Sequence, residues 1–367
     1  MPYPDTFEGF VISDHSKWTE FKKQEFKAKK FGDSDIDIKI ECCGVCGSDV
    51  HTITGGWGGS RLPICVGHEI IGHAVRVGPK VTTVKVGDRV GVGAQIWACL
   101  ECAVCKSGNE NYCPQWVDTY GSVYPAASQD PDGTVSQGGY ASHVRAHEYF
   151  TFPIPDNIPS EFAAPMMCAG LTVWSPLVRA GIGAGKKVAV VGFGGLGHFG
   201  VIWAHALGAE VTVISHSPHK REDALQLGAT HFVVSSVEGW EKPLAYKFDM
   251  VLNTADMTHQ FDIQKYLSIC AVNAPFHQVG LPDEALPPIK AQQLLLNGSC
   301  ISASHIGNRP EMLAMLKLAS EKNLRPWVET LPVGEQGCAE AVERVSKGKV
   351  KYRFTLVDYD KAFPDRP

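Results

Sequence analysis

The sequence lacks the features that mark several classes of protein. Its 367 residues contain no block of five or six like charges, and the formal net charge is −5 at pH 7. This argues against a surface that binds nucleic acid. The opening segment MPYPDTFEGFVISDHSKW has neither the basic region nor the apolar region of a secretory signal. We therefore expect a cytoplasmic protein with no nucleic-acid partner.

A membrane span is not expected either. One run of 22 residues, 188–209, carries no charge and is long enough to cross a bilayer. It contains six glycines together with His198 and His205, which favours a strand, a tight turn and a buried helix. The sequence also has no internal repeats and no low-complexity segments.

Cysteine, in contrast, is abundant, with twelve residues. Without export these thiols should stay reduced, so a cluster of them indicates a metal site before a disulfide framework. One loop has the spacing C-x2-C-x2-C-x7-C, formed by Cys99, Cys102, Cys105 and Cys113. Four thiolates complete a tetrahedral zinc site and leave no position for substrate, so this zinc would be structural. Two disulfides are the alternative.

A second set of metal-binding residue types is spread along the chain. Cys46 lies in GVCGSDVH, His68 in VGHEIIG and Cys168 in MMCAG. Each alone is more often a core residue than a ligand. Together they form the three-ligand set of a catalytic zinc with one open position.

The two parts of the chain differ in the pattern of apolar and polar residues. Up to about residue 155, short alternating runs with Gly and Asp at the bends predict a small β-rich domain, and Pro-rich 153–165 follows as a linker. Beyond it, apolar runs alternate with helix-like stretches, which predicts a doubly wound parallel sheet of the Rossmann type. The predicted strands are VAVVG, VTVIS, HFVVS, DMVLNTA, HQVGL and CISAS.

The first of these strands runs into a dinucleotide-binding loop. Gly192, Gly194 and Gly197 form G-x-G-x-x-G between a strand and a helix-like run, the context that this motif requires. The tight turn and the free N–H groups at the helix start favour a pyrophosphate; a structural turn is the alternative. Phe193, Gly195 and Leu196 complete the predicted loop.

The end of the next strand predicts which dinucleotide is bound. NAD-binding units place an acidic residue there for the ribose 2′-hydroxyl. This chain has Ser215 and His216, with Lys220 close by and no carboxylate. The set favours a 2′-phosphate and therefore NADP(H). The alternative is a solvated helix start with Ser217 as N-cap and Pro218 at the first helical position.

Taken together, the motifs CGVCGSDVH, GHE, the four-cysteine loop, CAGLTVW and GFGGLGH resemble the zinc-dependent medium-chain alcohol dehydrogenases. The similarity is strongest to the NADP(H)-dependent cinnamyl alcohol dehydrogenase branch. It implies a homodimer with two zinc ions per subunit. It also implies a chaperonin-barrel-like (GroES-like) catalytic domain from residues 1–157 and 306–367, and an NADP(H)-binding Rossmann domain from 158–305.

The resemblance also assigns roles to single residues. It implies that Glu69 can join Cys46, His68 and Cys168 at the catalytic zinc, and that Asp49 orients the ligand histidine. The resemblance further implies that Ser48 and His51 form a proton relay. It implies that Thr172 contacts the nicotinamide end of the cofactor and that Arg353 contacts the pyrophosphate. Two stretches depart from the family pattern: loop 123–132 is several residues longer, and 271–275 lacks a Gly-Gly pair.

The implied reaction is reversible hydride transfer between NADP(H) and alcohols or aldehydes, with aromatic, cinnamaldehyde-like and medium-chain aldehydes expected as substrates. Three alternatives are a polyol or sugar dehydrogenase, a zinc-free reductase of the same superfamily, and a non-enzymatic NADPH-sensing or crystallin-like protein. Four aromatic residues are expected either to line the substrate pocket or to belong to the core: Trp57, Trp97, Trp116 and Tyr120.

Overall fold

The computed structural model describes residues 5–255 and 261–364. The chain forms two compact units. The first contains the residues up to Cys168 together with those from Asn308 onward, and the second is Ala169–Gly307. The predicted domain limits, after residues 157 and 305, remain a prediction.

Most of the strands are short. In the described residues they are β1 (Thr6–Val11), β2 (Lys22–Lys27), β3 (Asp35–Val45), β4 (Glu69–Val77), β5 (Arg89–Val92), β6 (Gln95–Trp97), β7 (Val117–Asp118), β8 (His143–His147), β9 (Thr151–Pro153), β10 (Lys187–Val191), β11 (Glu210–Ser215), β12 (His231–Val234), β13 (Met250–Asn253), β14 (Pro275–Gln278), β15 (Cys300–Ala303), β16 (Val328–Pro332) and β17 (Arg353–Val357).

The α-helices of the described residues are α1 (Gly47–Thr54), α2 (Ala103–Lys106), α3 (Ser160–Ala163), α4 (Ala169–Arg179), α5 (Gly195–Ala206), α6 (Arg221–Gln226), α7 (Ile263–Ser268), α8 (Ala291–Leu295), α9 (Arg309–Glu321), α10 (Glu335–Ser346) and α11 (Tyr359–Ala362). None of them is long and apolar enough to cross a bilayer.

The first unit is built on a mostly antiparallel sheet with the order β16-β17-β3-β4-β5-β9, and β8 also pairs with β3. In β3, Ile36, Ile38 and Ile40 alternate with charged residues and are almost fully buried, as one face of a sheet on a core requires. The register of β3 with β4 pairs Gly44 with Glu69. The residues that follow β3 and those that precede β4 are therefore neighbours.

The second unit is a parallel sheet with the order β12-β11-β10-β13-β14-β15. This is the Rossmann order, in which all strands run parallel and the order of the strands reverses between β10 and β13. Each of the six predicted strand runs overlaps one of these strands, although β14 starts two residues before its predicted run, and the uncharged run 188–209 holds most of β10, the glycine turn and α5. The predicted fold class, a Rossmann sheet with a β-rich GroES-like domain, is confirmed.

Local details differ from the expectation at two places. The stretch after β11 begins as a 3-10 turn, Pro218–Lys220, and α6 starts only at Arg221. The Pro-rich segment 153–165 is not a bare linker, because it contains α3 and the start of the 3-10 turn Ala164–Met167.

The long loop 123–132 is held against the chain that precedes β3. Lys30 N donates to Asp130 Oδ1 at 3.1 Å, and Asp33 N donates to Gln129 Oε1 at 2.8 Å. Lys27 Nζ pairs with Asp132 Oδ2 at 2.6 Å. The additional residues of this loop therefore pack on 27–33.

Candidate active site

The spacing of β3, α1 and β4 brings four metal-binding side chains together. Cys46 is the N-cap residue of α1 directly after β3, Glu69 begins β4 with His68 just before it, and Cys168 ends the first segment of the first unit. One ligand atom from each of the four lies within 4.8 Å of the others, and all four residues are buried. Four side chains of types that bind zinc thus meet in one buried place.

A metal fits this cluster on two grounds. Two thiols, an imidazole and a carboxylate are zinc ligands by type. Within the part of the chain that the structure describes, His68 Nε2 is buried without a hydrogen-bond partner. A buried imidazole nitrogen without a partner costs free energy, and coordination of a cation would remove that cost.

The electrostatics of the cluster reflect its burial. A hydrogen bond from Cys168 lowers the pKa of Cys46 well below its usual range, although burial opposes this. Burial alone would lower the pKa of His68, but the Cys46 thiolate and the Asp49 carboxylate raise it to about 9. The cluster thus favours an anionic thiolate at Cys46.

Glu69 makes a buried ion pair that local sequence patterns do not reveal. Arg353 Nη2, from β17, donates to Glu69 Oε1, and both side chains are buried. Burial raises the pKa of Glu69 to about 7, although the Arg353 charge beside it favours the carboxylate. Arg353 is therefore placed against the metal cluster, and its contact with a pyrophosphate stays a prediction.

Asp49 supports the cluster through the backbone. Its carboxylate accepts hydrogen bonds from Cys46 N at 2.9 Å and from Gly67 N at 3.1 Å, and Tyr140 Oη donates to it at 3.2 Å. These contacts fix the chain at Cys46 and next to His68. The idea that Asp49 orients the His68 ring directly stays a prediction.

The two predicted relay residues lie on α1. Ser48 Oγ is 3.6 Å from Cys46 Sγ and is half-buried. The His51 ring, one turn further on, stacks on the indole of Trp57 with centroids 4.7 Å apart and planes 10° apart. The helix therefore carries a hydroxyl beside the cluster and an imidazole further along.

The four candidate pocket residues have different environments. Tyr120 is buried and stacks on His68, with centroids 5.3 Å apart. Trp57 and Trp116 are exposed by 43% and 44%, whereas Trp97 is buried in the core of the first unit. Tyr120 is thus adjacent to the metal cluster, and Trp57 is adjacent to the predicted relay.

The four-cysteine loop forms a second cluster. Sγ–Sγ distances are 3.5 Å for Cys102–Cys105, 3.5 Å for Cys99–Cys113 and 3.9 Å for Cys99–Cys105, and none of the thiols is in a disulfide. A tetrahedral zinc with Zn–S bonds of about 2.3 Å places its sulfurs about 3.8 Å apart. The loop is therefore shaped for one zinc ion, and the alternative of two disulfides is not what the structure shows.

This loop is attached to the start of α9. Asn308 Nδ2 donates to Gly108 O at 2.8 Å, and Arg309 N donates to the buried carboxylate of Glu110 at 2.6 Å. A carboxylate at a helix N-terminus is favoured by the helix dipole. The loop thus supports the part of the first unit that follows the Rossmann sheet.

We expect Cys105→Ser to lower the stability more than the activity. Binding of zinc by such a loop contributes directly to folding. The apparent Tm should fall on the order of 5–10 °C, the zinc content should fall by about one ion per chain, and activity per folded molecule should remain. Cys300→Ser, at an exposed cysteine, is the matched control. An unchanged Tm with loss of activity would contradict a scaffolding role.

The glycine loop has the shape that a dinucleotide requires. Gly192 has φ +81°, and a side chain at Gly197 would meet Gly192 O at 2.2 Å. At Gly194, in contrast, an added Cβ would have no neighbour within 4 Å. This open space precedes the first N–H groups of α5, where a pyrophosphate would bind. Half-buried Thr172 lies on α4.

The predicted 2′-phosphate residues lie at the end of β11. Ser215 is half-buried and His216 exposed. Lys220 Nζ donates to Phe193 O at 2.9 Å, so it reaches back to the glycine loop. Burial lowers the pKa of Lys220. The structure thus brings Lys220 to the loop that would bind the rest of the cofactor.

Comparisons with known proteins show which families the chain matches. The family described as "Alcohol dehydrogenase GroES-like domain" matches residues 32–156, and "Zinc-binding dehydrogenase" matches 195–321. "NADP-dependent alcohol dehydrogenase 6" of Saccharomyces cerevisiae is 48% identical over 367 residues and covers 100% of both chains.

Two solved structures extend the comparison. A cinnamyl alcohol dehydrogenase from Sorghum bicolor has a TM-score of 0.90 and 35% identity, with 96% of this chain and 97% of that chain covered. A CAD from Helicobacter pylori, crystallised with NADP(H), has a TM-score of 0.87 and 31% identity over 96% of this chain and 98% of its own.

Proposed function

Because the chain belongs to the zinc-dependent medium-chain alcohol dehydrogenases, in the branch with the cinnamyl alcohol dehydrogenases, we propose that it reduces cinnamaldehyde-like and medium-chain aldehydes. The protein is an NADP-linked oxidoreductase of alcohols and aldehydes that uses zinc. The observation that carries the proposal is the buried cluster of Cys46, His68, Glu69 and Cys168.

Aromatic side chains near this cluster favour an aromatic substrate. Tyr120 stacks on His68, and Trp57 covers the His51 ring. A polyol would require several polar partners for its hydroxyls, and these two rings offer mainly apolar faces. We therefore prefer aromatic aldehydes to sugars or polyols as substrates.

The chain's residues divide the chemistry among them. Cys46, His68 and Cys168 would hold a zinc ion, with Glu69 as a further carboxylate, and Arg353 would keep that carboxylate in place. When bound, the zinc supplies a Lewis acid and NADPH supplies the hydride. Ser48 would donate the proton that the carbonyl oxygen needs to become a hydroxyl. His51 would then return a proton to the Ser48 oxygen.

A panel of substrates tests the proposal. Cinnamaldehyde, benzaldehyde and hexanal are compared in reduction with NADPH, and mannitol is compared in oxidation with NADP⁺. We expect kcat/KM to be highest for the aromatic aldehydes and to fall after treatment with a zinc chelator. Higher kcat/KM for mannitol would favour the polyol dehydrogenase, and turnover of none of them would favour a sensing or crystallin-like role.

Ser215, His216 and Lys220 are proposed to bind the 2′-phosphate. Charge-assisted hydrogen bonds contribute about 1.5–3 kcal/mol each, less where solvent reaches them. Two such contacts suffice for a preference of roughly 10²-fold.

We expect Ser215→Asp to reduce the ratio of kcat/KM for NADPH over NADH by roughly 10²-fold, because a carboxylate repels the phosphate and the Ser215 hydroxyl is lost as a donor. The ratio is measured with one fixed aldehyde. Ser215→Ala is the matched control, since it removes the donor without adding charge and should have a smaller effect. An unchanged ratio in Ser215→Asp would show that Ser215 does not take part in the choice between NADPH and NADH.

Assembly as a homodimer is proposed on the surface of the second unit. β15 is the last strand in the sheet order, and the nearby Leu295 and Leu296 are exposed by 78% and 65%. Exposed leucines beside an edge strand are typical of a surface that another chain covers. Sedimentation equilibrium should give twice the mass of one chain.

A cytoplasmic location is proposed from the thiols, since none of the twelve cysteines is in a disulfide.

A further inference from the structure

A buried histidine joins the last two strands of the Rossmann sheet. His277, on β14, is 8% exposed, and its two ring nitrogens lie 2.9 Å from Ser302 Oγ and 2.9 Å from Ser304 Oγ. Ser302 is its register partner on β15, and Ser304 lies just beyond the carboxyl end of that strand. Both nitrogens are therefore used to hold the neighbouring chain.

The His277 ring is neutral because it is buried. Burial lowers the pKa of His277 to about 4, so the imidazole is neutral near neutral pH. A neutral imidazole has one donor and one acceptor nitrogen. One serine hydroxyl therefore donates to the ring and the other accepts from it, and the contact to Ser304 is not a charge interaction.

A second network of buried hydrogen bonds joins the carboxyl ends of β13 and β14. Asn253 Nδ2 donates to Gln278 Oε1 at 2.6 Å and to Ala255 O at 3.1 Å. Gln278 Nε2 donates to Gly280 O. Both amide side chains are buried. The carboxyl ends of β13, β14 and β15 are thus connected by side-chain hydrogen bonds in addition to the sheet.

The carboxyl ends of these strands are also in contact with the glycine loop. Thr254 Oγ1 lies 2.9 Å from Val191 O and 3.2 Å from Gly192 O. A side chain at Gly192 would meet Ala255 Cβ at 2.9 Å, so the two turns are in close contact. The hydrogen bonds of this edge therefore extend from the pyrophosphate loop toward β15.

The position of this edge suggests what it supports. In a sheet of this order, a dinucleotide lies across the carboxyl ends of the strands, with one nucleotide on each half of the sheet. In the half β10–β12, β11 ends at Ser215, where the 2′-phosphate of the adenosine nucleotide is proposed to bind. The half β13–β15 therefore faces the nicotinamide nucleotide. Satisfied buried polar networks rigidify the backbone around them, which lowers the ordering cost of binding.

We propose that His277 is a positioning residue for the nicotinamide half of NADP(H). By holding Ser302 and Ser304, it fixes the chain at the end of β15 in the conformation that receives this half of the cofactor. The inference rests on NADP(H) as the cofactor, and it does not depend on which aldehyde is reduced.

The test compares two ligands that share the adenosine half. Dissociation constants of NADPH and of 2′,5′-ADP are measured by calorimetry for wild type and for His277→Leu. We expect the variant to bind NADPH roughly tenfold more weakly, the effect of one or two lost neutral hydrogen bonds, and to bind 2′,5′-ADP within twofold of wild type. A purely structural role would weaken both ligands alike.

Further variants make the result specific. His277→Gln offers one donor and one acceptor and should restore NADPH binding to within roughly threefold of wild type. His231→Leu, an exposed histidine on β12, should change neither constant. If His277→Leu does not fold, Ser304→Ala is measured with the same two ligands and should weaken NADPH alone, by roughly threefold.

Two results would overturn the inference. One is unchanged NADPH binding in a folded His277→Leu, and the other is equal weakening of NADPH and 2′,5′-ADP. A failure of the cofactor assignment itself would look different, since wild type would then not bind 2′,5′-ADP.

Discussion

A Cys46→Ser variant is expected to lose turnover by roughly 10³-fold or more, because Lewis-acid stabilisation by a bound zinc contributes several kcal/mol to the reaction. Cys46 is the N-cap residue of α1 and its side chain lies in the buried cluster, so a hydroxyl would replace a thiolate ligand with little change of volume. The measurement is kcat/KM with NADPH and an aromatic aldehyde, together with the zinc content per chain.

The fold of this variant should be largely preserved, since the four-cysteine loop is untouched. Cys300→Ser serves again as the control, for an exposed cysteine outside both metal clusters. Turnover within tenfold of wild type, or a drop in Tm as large as that of Cys105→Ser, would contradict the division between a reacting and a supporting zinc site.

The second large effect is expected for Ser48→Ala, with turnover reduced by roughly 10²-fold through loss of acid–base assistance. Ser48 Oγ is 3.6 Å from Cys46 Sγ, so it is the hydroxyl that α1 places beside the cluster. Pre-steady-state rates of NADPH oxidation separate this chemical effect from product release.

Ser48→Thr is the matched control, because it keeps a hydroxyl at this position and should retain most of the rate. His51→Gln should cost less than Ser48→Ala, since water can replace an imidazole that is half-exposed. An unchanged rate in Ser48→Ala would exclude Ser48 from proton transfer.

The parts of the site that follow from local spacing could be predicted from the sequence. The four-cysteine loop is contained in 15 residues, 99–113, and the glycine loop is recognised by the strand before it and the helix after it. The sequence groups Cys46 and His68 by residue type alone; the structure adds the reason that they meet, since β3 ends just before Cys46 and its antiparallel neighbour β4 begins just after His68.

Contacts between distant segments could not be predicted. Arg353 reaches Glu69 across 284 positions, and Tyr140 reaches Asp49 across 91. No periodicity or spacing relates such pairs, because sheet order and not chain order makes them neighbours. The same holds for His277, whose serine partners are identified only by the register of β14 with β15.

The two thiol clusters differ in the length of chain that must close before a metal can be held. The outermost thiols of the loop are 14 positions apart (113 − 99), whereas Cys46 and Cys168 are 122 apart (168 − 46). Closing the longer segment costs about 2 kcal/mol more in chain entropy. During synthesis the loop can therefore capture its ion as soon as a short stretch has left the ribosome. The buried cluster needs the chain up to Cys168, so we expect the ion of the reacting site to be acquired after that of the loop.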